Sequence, residues 1–157
     1  MDDQVINLLE AIDARLATET ATGQTLEDID QYFVKYTKSD VPPEIGSQNT
    51  ILMVDVLTVP GKVISIPACM TEKQAPIRFT IFTEEAGDTT QKTAAELIDL
   101  VEDIFFPQSF NITQWVDMTQ KDYSQPESPP FEAPHNSGAS IILTHTYTDV
   151  REIPIQG

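Results

Sequence analysis

Residues 77–107, IRFTIFTEEAGDTTQKTAAELIDLVEDIFFP, decide the fold class of this chain. Ile77, Phe79 and Ile81 alternate with Arg78, Thr80 and Phe82, the period-two pattern of a strand with one firmly apolar face. Gly87-Asp88 reads as the end of a turn, and Asp88 with Gln91 approximates a capping box that opens a helix. Ala94, Leu97, Ile98, Val101, Ile104 and Phe105 then recur at helical spacing. Pro107, which has no N–H to extend the hydrogen-bond ladder, stops the run. A one-faced strand followed by a one-faced helix predicts a helix layer packed on a sheet.

The flanking sequence supplies the rest of both layers. Val5, Leu8, Leu9, Ile12 and Leu16 make one stripe, which predicts a first helix over 3–17 with Asp2 and Asp3 at the favourable end of its dipole. The small polar residues around Gly23 suit a loop. A short second helix is expected over 26–36, with Thr25 as N-cap, although Tyr32, Phe33, Val34 and Tyr36 serve a strand equally well. Ser39-Asp40-Val41-Pro42-Pro43 breaks regular structure. ILMVDVLTV (51–59) reads as a strand, Pro60-Gly61 as a turn, and 62–66 as its hairpin partner. Further strands are expected over 110–116 and 139–148. The expected fold is α+β: a mixed, largely antiparallel sheet of about four to five strands packed by two main helices, with long loops.

A length of 157 residues fits one domain over 1–157. Its formal charge is −16, from 25 acidic and 9 basic side chains. Phosphate repels such a chain, so gripping nucleic acid by counterion release is excluded, and an anionic membrane surface does not attract it. No segment approaches the ~20 apolar residues of a membrane span. The opening MDDQVINLLEA is acidic and amphipathic, unlike a targeting leader, so a cytoplasmic origin is expected and the sequon at Asn111 reads as a chance match. The lone Cys69 can form no internal disulfide and reads as a small core or strand residue.

Catalysis needs a nucleophile or a tuned acid–base pair, usually with a third group to position it. The two histidines are His135, in a proline-rich stretch, and His145, which alternates in step with Ile141, Leu143 and Tyr147 and reads as a sheet residue. No nucleophile-elbow, zincin or phosphate-loop pattern occurs. The histidines lack the spacing of a zinc site, and Asp28/Asp30 and Glu84/Glu85 lack the ligand order of a calcium loop. Those pairs read as solvated or helix-start charges, and Glu96, Asp99, Glu102 and Asp103 as charges off the apolar stripe. The expectation is no enzymatic activity, no metal and no cofactor.

The remaining candidates are contact residues. Residues 117–138 hold the run MTQKDYSQPESPPFEAPHNS, a poor former of helix or sheet, and loops longer than ~15 residues are uncommon inside compact domains. This loop reads either as a surface excursion or as an element that orders against a partner, with Tyr123, Phe131 and His135 as its contacts. Trp115, the single tryptophan, reads either as sheet packing or as an interface aromatic.

The whole-chain layout carries a resemblance. An amphipathic helix containing LLEAIDARLA comes first, then a proline-marked loop, a strand hairpin and a strand ending in Thr83-Glu84-Glu85. Asp88-Thr89-Thr90 leads to the helix TAAELIDLVEDIFF, followed by Phe110-Asn111-Ile112 and the final strand IILTHTYTDV. This order, over 1–149, resembles the tail terminator and tail-completion proteins of tailed bacteriophages. The resemblance implies a structural virion protein of the head-proximal tail end. Such a protein forms a ring with itself, commonly hexameric, on the last ring of the tail tube protein, stops tube growth, and offers a joint to a neck or head-connector protein. DNA passes through without specific binding, and no membrane is involved. Other neck, head-completion or tail-tube subunits are the nearest alternatives. A small cytoplasmic protein-binding adaptor, with the 117–138 loop as its recognition element, is a further one, and a carboxylate enzyme is the least favoured class.

Overall fold

The computed structural model describes residues 3–37, 40, 50–57, 62–65, 70–83, 93–106, 115–123 and 137–150. In chain order these form α1 (Asp3–Glu19), β1 (Gln31–Val34), β2 (Thr50–Val56), β3 (Lys62–Ser65), β4 (Met70–Thr83), α2 (Ala94–Phe105), β5 (Trp115–Asp122) and β6 (Ser137–Val150). The strands make one sheet in the order β1-β2-β4-β6-β5. Only β1 and β2 run parallel; the other pairs are antiparallel. β3 pairs with the first residues of β4 and β2 with the last, so β3 continues the lane of β2 and five strands lie abreast. The α+β expectation holds, with its mixed sheet and two helices.

Both helices pack on one face of this sheet. α1 buries Val5, Leu8, Leu9, Ile12 and Leu16, and α2 buries the six residues of its stripe, Ala94 to Phe105. They meet Leu52 and Val54 of β2, Ala75, Ile77, Phe79 and Ile81 of β4, and Ala139, Ile141 and Leu143 of β6 in a single core. Each large aliphatic side chain so buried contributes about 1.5–3 kcal/mol. Phe79 and Phe105 stack at the centre, with ring centroids 5.1 Å apart. The opposite face of β2 and β4 is buried too, through Ile51, Met53, Thr80 and Phe82. There Arg78 forks onto Asp55 with two hydrogen bonds of 3.0 and 2.7 Å, and the two residues are register partners. Burial on both sides is why β2 reads as a nearly continuous apolar run.

The structure departs from the sequence reading in five places. Residues 26–36 are not a helix. Leu26 and Ile29 plug the core from a series of turns, and β1 follows because the β-forming residues Tyr32 to Val34 find a parallel partner in β2. Gly23, at φ +84°, makes the turn out of α1 possible. β3 is not the hairpin partner of β2; it pairs with β4. β4 itself begins seven residues before Ile77 and contains Pro76, whose missing donor does no harm. The Pro76 carbonyl accepts from Leu57 N–H, so its ring nitrogen faces the lane where β2 has ended and β3 has not begun. The N-cap of α2 is Thr93, whose hydroxyl accepts from Glu96 N–H, rather than Asp88. Finally, β5 runs over Trp115–Asp122, so 117–122 and 137–138 belong to strands and the expected loop is shorter at both ends. Its residues 124–136 lie outside the described ones, as do 110–114 of the strand expected there.

Candidate functional site

A concavity among the described residues lies at the outermost strand, β1. Asp30 ties the start of that strand down: its N–H donates to the Thr50 carbonyl, and its carboxylate accepts the Thr50 N–H at 3.0 Å. It is an exposed charge, as expected from sequence, that also clamps the strand. At the other end Lys35 N–H bonds to Val54. Asp40 then closes a tight turn by accepting the N–H groups of Tyr36 (2.8 Å) and Thr37 (3.0 Å) and the Thr37 hydroxyl (3.0 Å). Over the strand, α1 presents Asp13, which accepts the Tyr36 hydroxyl at 3.0 Å.

These elements enclose an open groove of about 560 Å³ lined by Asp13, Tyr32, Phe33, Val34, Tyr36 and Asp40. Tyr32 and Val34 point to one face of the sheet and Phe33 to the other, so a groove touching all three follows the open edge of β1. Its electrostatics are one-sided. Burial and then the hydrogen bond and charge of Asp13 push Tyr36 up to about 12. Burial, then the charge of and hydrogen bond to Asp13, also raise Tyr32. The backbone and side-chain hydrogen bonds of Thr37, then that of Tyr36, hold Asp40 below the usual carboxylate range, with the charge of Lys35 adding to them. The carboxylates of Asp13 and Asp40 beside two tyrosine rings favour a cation.

A second polar cluster joins α2 to the opposite edge strand, β5. Lys121 pairs with Asp99 and, at 3.4 Å, with Glu102, and its ammonium lies 5.3 Å from the centre of the Tyr123 ring. The Tyr123 hydroxyl donates to Asp99 at 2.8 Å. Burial opposes the charged form of Lys121, but hydrogen bonds to Asp99 and Tyr123 and the charges of Glu102 and Asp99 outweigh it and raise its pKa. Hydrogen bonds from Lys121 and Tyr123 lower that of Asp99.

Of the residues singled out in the sequence, Tyr123 is exposed at 54%, directly follows β5 and bonds to α2. Trp115 opens β5 opposite His145 in the ladder. His145 is partly buried, and that burial lowers its pKa. Phe131, His135 and Cys69 lie outside the described residues. Asp13, Asp40 and Lys121 were not foreseen. Asp13 follows Ile12 at the margin of the α1 stripe, and Asp40 stands three residues beyond Thr37 in a turn-forming run; those were the available signals.

Among the described residues no group of three or more His, Cys, Asp or Glu is placed to hold a metal ion, and no helix is long and apolar enough to cross a membrane. No family model matches the sequence, and no curated protein matches it.

Proposed function

We propose that this chain is a structural assembly subunit of the phage tail terminator kind: a ring that caps a tail tube, stops its growth and joins it to the head. The observation that carries this reading is the length of the β4–β6 pair. Fourteen residues of β4 pair with fourteen of β6, from Met70↔Val150 to Thr83↔Ser137, a ribbon of about 46 Å at ~3.3 Å per residue. α1 lies over β1 and α2 over β4 and β6, so the helices stand side by side across the sheet. With 17 and 12 residues they are about 26 and 18 Å long. The ribbon is therefore longer than either described helix. Ala75 is in the core and Gln74 is exposed. At that end of the ribbon, β3, the first residues of β4 and the last of β6 lie three strands abreast. A long ribbon of paired strands suits a heterologous contact with the next subunit, which is the interface a closed ring requires.

The charge distribution supports the same reading. α2 carries Glu96, Asp99, Glu102 and Asp103 and no basic residue. A helix layer of this sign, turned to a bore, lets DNA slide without sticking. Mass by light scattering after size exclusion, over a wide concentration range, tests the proposal. A single closed species of about six subunits is expected. Open-ended growth would favour a tube subunit, and a strict monomer would favour a protein-binding adaptor, the reading that the β1 groove supports.

A further inference from the structure

We infer that the open edge of β1 is a docking site for an extended, basic segment of another protein, which adds as a strand and places a lysine or arginine between Asp13 and the rings of Tyr32 and Tyr36. Three observations meet here. β1 is outermost, and among the described residues no strand pairs with its free side. An outermost strand keeps a row of N–H and C=O groups that accept a further strand, and such addition supplies main-chain affinity while side-chain pockets supply selectivity. The groove follows that edge, so an added strand lies along it. Its wall is acidic and aromatic at the point a side chain would enter, with Asp13 from α1 above and Asp40 from the turn beyond. Complementary charge selects a basic partner over an acidic or purely apolar one. Lys35 adds its charge at Asp40.

The other edge offers no equivalent. β5 carries two register shifts, between Trp115 and Asp117 and between Met118 and Gln120, which disturb the regular spacing of an edge. Its lysine is already held by Asp99 and Glu102. The inference rests on the groove alone and is independent of ring formation, which was argued from the ribbon.

The test is a titration of the full chain with a short acetylated, amidated peptide of alternating lysine and valine, followed by NMR. Saturable binding that moves the amide signals of Gln31–Val34 is expected. Asp13→Asn, and separately a peptide N-methylated at alternate residues, each weaken it about tenfold, whereas Glu96→Gln on the exposed side of α2 leaves it unchanged. The Asp13→Asn spectrum also reports whether that variant is folded, and the N-methylated peptide needs no variant. Absence of saturable binding overturns the inference. So does equal weakening by Glu96→Gln, equal binding of the N-methylated peptide, or equal binding of a glutamate–valine peptide. If the same signals move with protein concentration alone, a second copy of the chain is the occupant and the basic-partner inference is overturned.

Discussion

Replacing Asp13 by asparagine separates the charge of this residue from its hydrogen bond to Tyr36. In the native chain Tyr36 is raised from 10 to about 12, by burial first and by Asp13 second. A tyrosine whose folded pKa exceeds its unfolded value contributes stability that is complete below the unfolded pKa and is lost as pH rises toward the folded one. Because Tyr36 is only partly buried, solvent screening holds the stability attached to that shift to about 1–2 kcal/mol, lost as pH rises from about 10 to about 12. Asparagine keeps an acceptor for the hydroxyl but no charge, and removes a repulsion with the phenolate of about 1 kcal/mol, or roughly one unit of pKa. The variant is therefore less stable at about pH 8, by about 0.5–1 kcal/mol, because a charge-assisted bond becomes a neutral one. The deficit shrinks as pH rises and is nearly gone by about pH 11.5. Urea unfolding at both pH values measures the deficit, and near-ultraviolet phenolate absorbance places the titration. A deficit that is constant with pH, or a Tyr36 that titrates at the same pH in both proteins, would refute the coupling.

Other perturbations have equally definite outcomes. Phe105→Ala removes a fully buried ring stacked on Phe79 and is expected to cost about 3–5 kcal/mol in chemical denaturation; a cost below about 1 kcal/mol would mean that α2 is not held through this contact. Lys121→Met breaks the link from β5 to Asp99 and Glu102, and because Asp99 is half exposed the loss is held to about 0.5–1 kcal/mol. Lys121 is raised and Asp99 lowered, so that deficit is full between about pH 5 and 10, fades as pH falls through the Asp99 range, and fades again as pH rises through that of Lys121. A pH-independent deficit would contradict this account. Thr93→Ala removes the cap of α2 and is expected to cost about 1 kcal/mol of stability in thermal or urea unfolding, with no loss pointing to a different cap.

What the sequence made legible followed from periodicity. The stripe of α2 and the alternation from Ile77 to Ile81 are strong because every second or third residue repeats one choice, and both appear in the structure where the pattern put them. What it hid followed from long-range pairing. Met70 to Gln74 has no apolar alternation, and Pro76 resembles a breaker; only the fourteen-residue ladder with β6, and the gap between β2 and β3, make that segment strand. Residues 117–122 were obscured in the same way, since MTQKD gains its strand character from pairing with β6. β1 was ambiguous because Tyr32, Phe33 and Val34 suit either element until β2 supplies a partner. The groove was invisible for a related reason: Asp13, Tyr36 and Asp40 come from a helix, the end of a strand and a turn, and only the docking of α1 over β1 brings them together.

The central claim, a proposal, is that the Met70–Gln74 and Thr146–Val150 end of the β4–β6 ribbon is the means by which one copy of the chain joins the next. Amide hydrogen exchange, read segment by segment as the protein concentration is raised, tests it most directly. The account predicts that protection in Met70–Gln74 and Thr146–Val150 rises with concentration while that of Ile77–Ile81, already in the core, stays constant. Ribbon amides that exchange at the same rate at every concentration, or a rise in protection confined to other segments, would contradict it.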